Sequence, residues 1–137
     1  MIFSKRESIN RNNQSEATKA KKNLSCVVLR ALDHVIGSDL LISNKDAIVK
    51  FAMKMFVNNN ALSGSVIYLL DDELINEDCR VEMLAVYLEF TKPKLAVDYN
   101  LTCLDFHIIA MTLNCIHQTR RLNKTLNNAF SEYMEAA

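Results

Sequence analysis

The chain has 137 residues, of which 50% are hydrophobic and 23% charged, with two Gly, one Pro and no Trp. That length fits one domain with a real core, and the composition excludes intrinsic disorder, a collagen-like fibre and a multidomain enzyme. Sixteen Lys and Arg balance sixteen Asp and Glu, and the sequence pI near 6.8 is far from the strongly basic domains that grip nucleic acid.

Gly and Pro together make up three residues, about 2% of the chain against roughly 12% in average usage. A β-sandwich or barrel needs a turn about every 8–12 residues, and most such turns use Gly, Pro or Asn-Gly. Two glycines cannot serve six or seven hairpins. The expected fold is therefore all-α, a single-domain bundle of five to seven helices with a long N-terminal and a long C-terminal helix.

In chain order, residues 1–13 are polar and aperiodic and read as a basic arm, with 14–137 as the helical domain. From about Gln14 to Ile36 the residues Ala17, Ala20, Leu24, Val27, Val28, Ala31, Leu32 and Val35 recur at the spacing of one buried helical stripe. Gly37 follows where a left-handed residue would stop that helix. Ser43 or Asn44 can cap a second helix with Asp46 in its first turn and a stripe of Ile48, Phe51, Ala52, Met55 and Phe56. Asn58, Asn59 and Asn60 are expected to end it. A short segment from about Ser63 or Ser65, with Val66, Ile67, Leu69 and Leu70, suits a third helix but also has the β-branched content of a strand.

Asn76 is placed to cap a fourth helix with an acidic first turn, Glu77 and Asp78. Val81, Leu84, Ala85 and Leu88 make one face, while Met83, Val86, Tyr87 and Phe90 cover much of the rest. A helix apolar most of the way round is expected at the centre of a bundle. Pro93 bars that helix from continuing past about Thr91. Thr102 with Asp105 three residues on resembles a capping box with Asp in place of Glu. Leu104, Phe106, Ile108, Ile109, Met111, Leu113, Cys115 and Ile116 then form a stretch expected to be buried. Beyond Gln118 the pattern thins to Leu122, Leu126, Phe130, Tyr133 and Met134, on the same helix or on a second one after a bend near Asn123.

Charge is segregated along the chain. Residues 1–31 hold Lys5, Arg6, Arg11, Lys19, Lys21, Lys22 and Arg30 against Glu7 and Glu16, a net of +5. Residues 71–90 hold Asp71, Asp72, Glu73, Glu77, Asp78, Glu82 and Glu89 against Arg80, a net of −6. A basic arm can bind nucleic acid or an acidic partner, an acidic face can bind a basic one, and two such faces can also pair with each other.

Familiar chemistries are missing. With glycines only at 37 and 64, no phosphate-cradling loop, dinucleotide fingerprint or nucleophile elbow can be built. Cys103, His107 and Cys115 share a helical face, but no paired C-x-x-C or H-x-x-x-H completes a zinc site, so buried thiols are the expectation. The carboxylates at 71–78 lie in a polar linker, and Leu74 and Ile75 interrupt any calcium-loop pattern. No catalytic residue, metal or cofactor is assigned.

Four cysteines, Cys26, Cys79, Cys103 and Cys115, with no recognisable secretion signal and no apolar run of membrane length, suit a reduced, cytoplasmic chain. Abundant Asn with Lys and Ile suits an A+T-rich coding sequence of bacterial, phage or viral character.

The expected function is non-enzymatic: a helical regulator, adaptor or chaperone that binds another protein, as a homo-oligomer with a dimer favoured and no membrane contact. The contact residues would be Asp71, Asp72, Glu73, Glu77 and Asp78, or Leu122, Leu126, Phe130 and Tyr133 on the terminal helix. The alternative is a nucleic-acid-binding regulator using Lys5, Arg6, Arg11, Lys19, Lys21 and Lys22, joined by Arg120, Arg121 and Lys124.

Overall fold

The structure, a computed structural model, describes residues 3–37, 44–58 and 61–136, the side chains of 3–15, Ala17, Asn58 and Ala136 excepted. Six helices among the described residues make the fold all-α: α1 (Phe3–Ile36), α2 (Lys45–Lys54), α3 (Gly64–Leu70), α4 (Glu77–Thr91), α5 (Pro93–Asp98) and α6 (Cys103–Ala136). The side chains of Lys5, Arg6 and Arg11, like Ser43, lie outside the described residues. No described helix is long and apolar enough to cross a membrane.

The helix boundaries follow from local chemistry. Gly37 adopts φ +74° and donates its N–H to Asp33 O at 3.0 Å, closing α1 in the left-handed conformation that a side chain would strain. Asn76 Oδ1 accepts from Cys79 N–H at 2.8 Å and caps α4, whose first turn carries Glu77 and Asp78. Thr102 and Asp105 do form the expected capping box: Thr102 N–H donates to Asp105 Oδ2 at 2.9 Å, and Asp105 N–H donates to Thr102 Oγ1 at 3.3 Å. Pro93 opens α5 at the first-turn position, where its missing N–H costs no hydrogen bond.

Two expectations are corrected. The second helix stops at Lys54, and Phe56–Asn58 pairs antiparallel with Ala61–Leu62 as β1 and β2, so Phe56 belongs to a hairpin and Asn58 to its first strand. Of the three asparagines expected to end the helix, Asn58 closes β1, and Asn59 and Asn60 lie outside the described residues. The Val66–Leu70 segment resolves as helix, with Val66 and Leu70 buried four residues apart.

The core lies around the first half of α6. Leu24, Val28, Ala31 and Leu32 of α1, Ile48, Phe51 and Ala52 of α2 and Val81, Leu84, Ala85 and Leu88 of α4 bury against Phe106, Ile109, Ala110, Leu113 and Ile116. Phe51 is its aromatic pivot, edge-on to Phe106 at 5.4 Å and to Tyr99 at 6.4 Å between ring centroids. Contacts at the ends give the directions. Lys45 Nζ donates to Asp33 Oδ1 at 2.9 Å, and Asn44 Nδ2 reaches Asn100 O at 3.2 Å and Asp105 Oδ2 at 3.4 Å. The end of α1 and the starts of α2 and α6 thus meet at one end of the bundle. At α6 residue 120, further along the helix, the Arg120 guanidinium sits 5.6 Å over the Phe56 ring of the hairpin. Helix α4 runs antiparallel to α6, because Cys103 meets Glu89 while Asn114 meets Glu77. One continuous helix carries the last segment, with no break at Asn123.

Candidate interaction surface

Glu77 and its neighbours are drawn into the fold more than a free acidic patch would be. Asn114 Nδ2 donates to Glu77 Oε1 at 2.8 Å, and His117 Nε2 lies 2.6 Å from Asp71 Oδ1. Arg121 pairs with Glu73 and stands 3.6 Å from Asp71. Asp72 Oδ1 accepts from Leu74 N–H at 3.1 Å, and Arg80 Nη1 donates to the carbonyls of Leu70 at 3.3 Å and Asp72 at 3.4 Å. The linker between α3 and α4 is thereby tied to α6 and to the first turns of α4. Of the five carboxylates singled out at 71–78, Asp78 is exposed with no partner among these contacts.

The basic residues separate in the same way. Arg121 is engaged by acids and Arg120 stacks on Phe56, whereas Lys19, Lys21 and Lys22 stand exposed on α1. Lys21, Lys22 and Lys50 line one groove of about 430 Å³ between α1 and α2, with Asp46 in the same wall.

Helix α4 carries the feature that sequence reasoning placed wrongly. Its buried face, Val81, Leu84, Ala85 and Leu88, is as expected. On the opposite face Cys79, Met83, Val86 and Phe90 recur at helical spacing and are exposed, Phe90 by 80%. The helix packs on α6 and α3 and meets α5 beyond its C-terminal end, and this stripe stays exposed. Leu69 and Tyr87 flank this stripe and, with Glu82, close it into a shallow groove of about 600 Å³. Along the opposite border runs an acidic row one residue out of phase, Asp78, Glu82 and Glu89, all exposed. The missed signal was two apolar faces 180° apart on one short helix, which suits a sandwiched helix only if a second layer exists in the chain.

A second uncovered face is the far half of α6. Residues 121–135 are all exposed, and Leu122, Leu126, Phe130, Tyr133 and Met134 are 58–72% accessible.

Cys26, Cys79 and Cys103 are exposed and Cys115 is half-buried, against the expectation of buried thiols at Cys103 and Cys115. Cys103 Sγ donates to Glu89 Oε1 at 3.4 Å, and that carboxylate, by its hydrogen bond and its charge, raises the thiol pKa above the ordinary value. His34, His107 and Cys115 border a polar groove of about 670 Å³ between α1, α4 and α6 with Glu77, Asp78 and Glu82. Among the described residues no three His, Cys, Asp or Glu are grouped to hold a metal ion. Compared with known proteins, the chain matches no family model, no curated protein and no solved structure.

Proposed function

We propose that this chain is a non-enzymatic helical interaction protein that binds another protein through the outer face of α4. The observation that carries this reading is the exposed stripe Cys79, Met83, Val86 and Phe90 bordered by Asp78, Glu82 and Glu89. Contiguous exposed apolar surface with a polar rim marks an interaction site on a soluble chain. Its geometry suits a helix laid alongside, with apolar anchors at i, i+3, i+4 and i+7 meeting the stripe. The acidic rim selects a partner helix with Lys or Arg beside those anchors and speeds its encounter.

The test is fluorescence anisotropy with a labelled amphipathic Leu/Lys peptide, its Leu/Glu counterpart serving as control. Binding of the basic peptide alone, weakening with salt, is expected. Asp78→Lys/Glu82→Lys/Glu89→Lys should weaken it by about tenfold or more, as like charges across an interface do, with the fold retained but the melting temperature somewhat lowered, because Asp78 sits in the first turn of α4 and Glu89 accepts from Cys103. Equal binding of both peptides, or survival of binding in the triple variant, would refute the reading.

A second reading rests on the groove shared by Lys21, Lys22 and Lys50, which offers three cations to a phosphate backbone. It requires that Lys19→Ala/Lys21→Ala/Lys22→Ala weaken binding to every duplex sequence and flatten its salt dependence. Absence of duplex binding at low salt would retire it.

A further inference from the structure

The far half of α6 presents a problem that the body of the protein does not solve. Residues 121–135 form more than four turns of helix, about 22 Å long, with every residue exposed. Isolated helices of this length are marginal in water, and this one displays Leu122, Leu126, Phe130, Tyr133 and Met134 on one side. Its charge is polarised along the axis. Arg120, Arg121 and Lys124 lie at the end near the body, and Glu132 and Glu135 lie at the tip.

We infer that this segment pairs with the same segment of a second copy of the chain, antiparallel, about a two-fold axis near Asn128. In that arrangement Leu126 faces Phe130 of the other copy and Leu122 faces Met134, so four of the five apolar residues meet another, while Tyr133 lies level with Asn123 at the edge of the seam. The acidic tip of each copy lies alongside the basic base of the other, where Lys124 stands level with Glu132 and Arg121, which also pairs with Asp71 and Glu73 of its own copy, adds to the basic end. A parallel pair would place tip against tip and base against base, like charge on like. The antiparallel sense also sends the two bodies to opposite ends, and each interface half is the same patch, as two-fold symmetry demands. Five large side chains at this accessibility offer on the order of 500 Å² per copy, at the small end of specific interfaces, so the dimer is reversible.

Sedimentation velocity over a wide range of concentration tests this. The native chain is expected to pass from monomer to dimer, and Leu126→Glu to stay monomeric with an unchanged circular-dichroism melt at low concentration. Glu132→Gln/Glu135→Gln, which disturbs no fold contact, tests the direction: antiparallel pairing predicts dissociation enhanced by roughly fivefold. Parallel pairing predicts the reverse, because like-charge repulsion is relieved. A monomer at all concentrations, a dimer indifferent to Leu126→Glu, or tighter association of the double Gln variant would each overturn the inference. None of these outcomes depends on the α4 face, so peptide binding can stand or fall separately.

Discussion

Asp105 shows how much one short side chain can organise. It is buried, accepts the Thr102 N–H at the start of α6, and meets the Asn44 amide that also holds the carbonyl of Asn100. Losing it removes the return half of the capping box and the acceptor that the Thr102 N–H and the Asn44 amide share, whereas losing the Thr102 hydroxyl removes one longer bond. Urea denaturation should therefore show Asp105→Ala costing about 2–3 kcal/mol and Thr102→Ala about 1 kcal/mol. Equal costs would mean that the Asn44 contacts contribute nothing. At the same scale, Glu89 keeps the Cys103 thiol protonated to higher pH than an ordinary thiol. Since the thiolate is the reactive form, Cys103 should be alkylated more slowly than exposed Cys26 or Cys79 at mildly alkaline pH. Glu89→Gln should lower the thiol pKa and speed its alkylation, with the profile of rate against pH displaced downwards. A rate unmoved by that change would mean that the Glu89 contact is not made in solution.

Elements divide into those whose apolar face is covered by other described residues and those whose face is not. Phe51, wholly buried and edge-on to two rings, belongs to the first kind, and Phe51→Ala should cost about 3–5 kcal/mol. Phe130 and Leu122 belong to the second, and their truncation to Ala should change the stability of the dilute monomer by less than about 0.5 kcal/mol. Matched thermal and urea melts separate the two classes. A Phe130→Ala cost comparable to that of Phe51→Ala would mean that the far half of α6 folds back on the body.

This division is also where sequence reasoning reached its limit. Caps at Gly37, Asn76 and Thr102–Asp105 were legible because capping chemistry is local, set by residues one to three positions apart. The stripes of α1 and α2 were legible because one apolar face has one destination. On α4 the periodicity registered both faces, yet which of them is covered depends on the number of neighbouring layers, a property of the whole chain. Likewise the acidic run at 71–78 reads in sequence as a free patch. Its ties to Asn114, His117 and Arg121 span 37 to 48 residues and have no local signature. The hairpin at 56–62 was missed because so few residues carry no alternation, and Phe56 continued a helical spacing by coincidence.

For the whole molecule, the two exposed apolar faces lie on different elements and, on the readings proposed above, take different kinds of partner. The α4 stripe belongs to the body, opposite the face that packs on α6, while the α6 stripe lies beyond the part of that helix that carries the core. The charge layout agrees with two separate tasks: the α4 rim is uniformly acidic and suits a basic partner, whereas α6 carries both signs in an order complementary to itself. Perturbations at sites that share no partner residues add nearly independently. Leu126→Glu should therefore bind the basic peptide as tightly as the native chain while remaining monomeric. The triple Lys variant of α4 should dimerise normally while losing the peptide. Titrating the peptide into both proteins, with sedimentation run in parallel, checks the pair. If disrupting the dimer also abolished peptide binding, the peptide groove would have to be completed across the two-fold axis, and the α4 face alone would not be the binding surface.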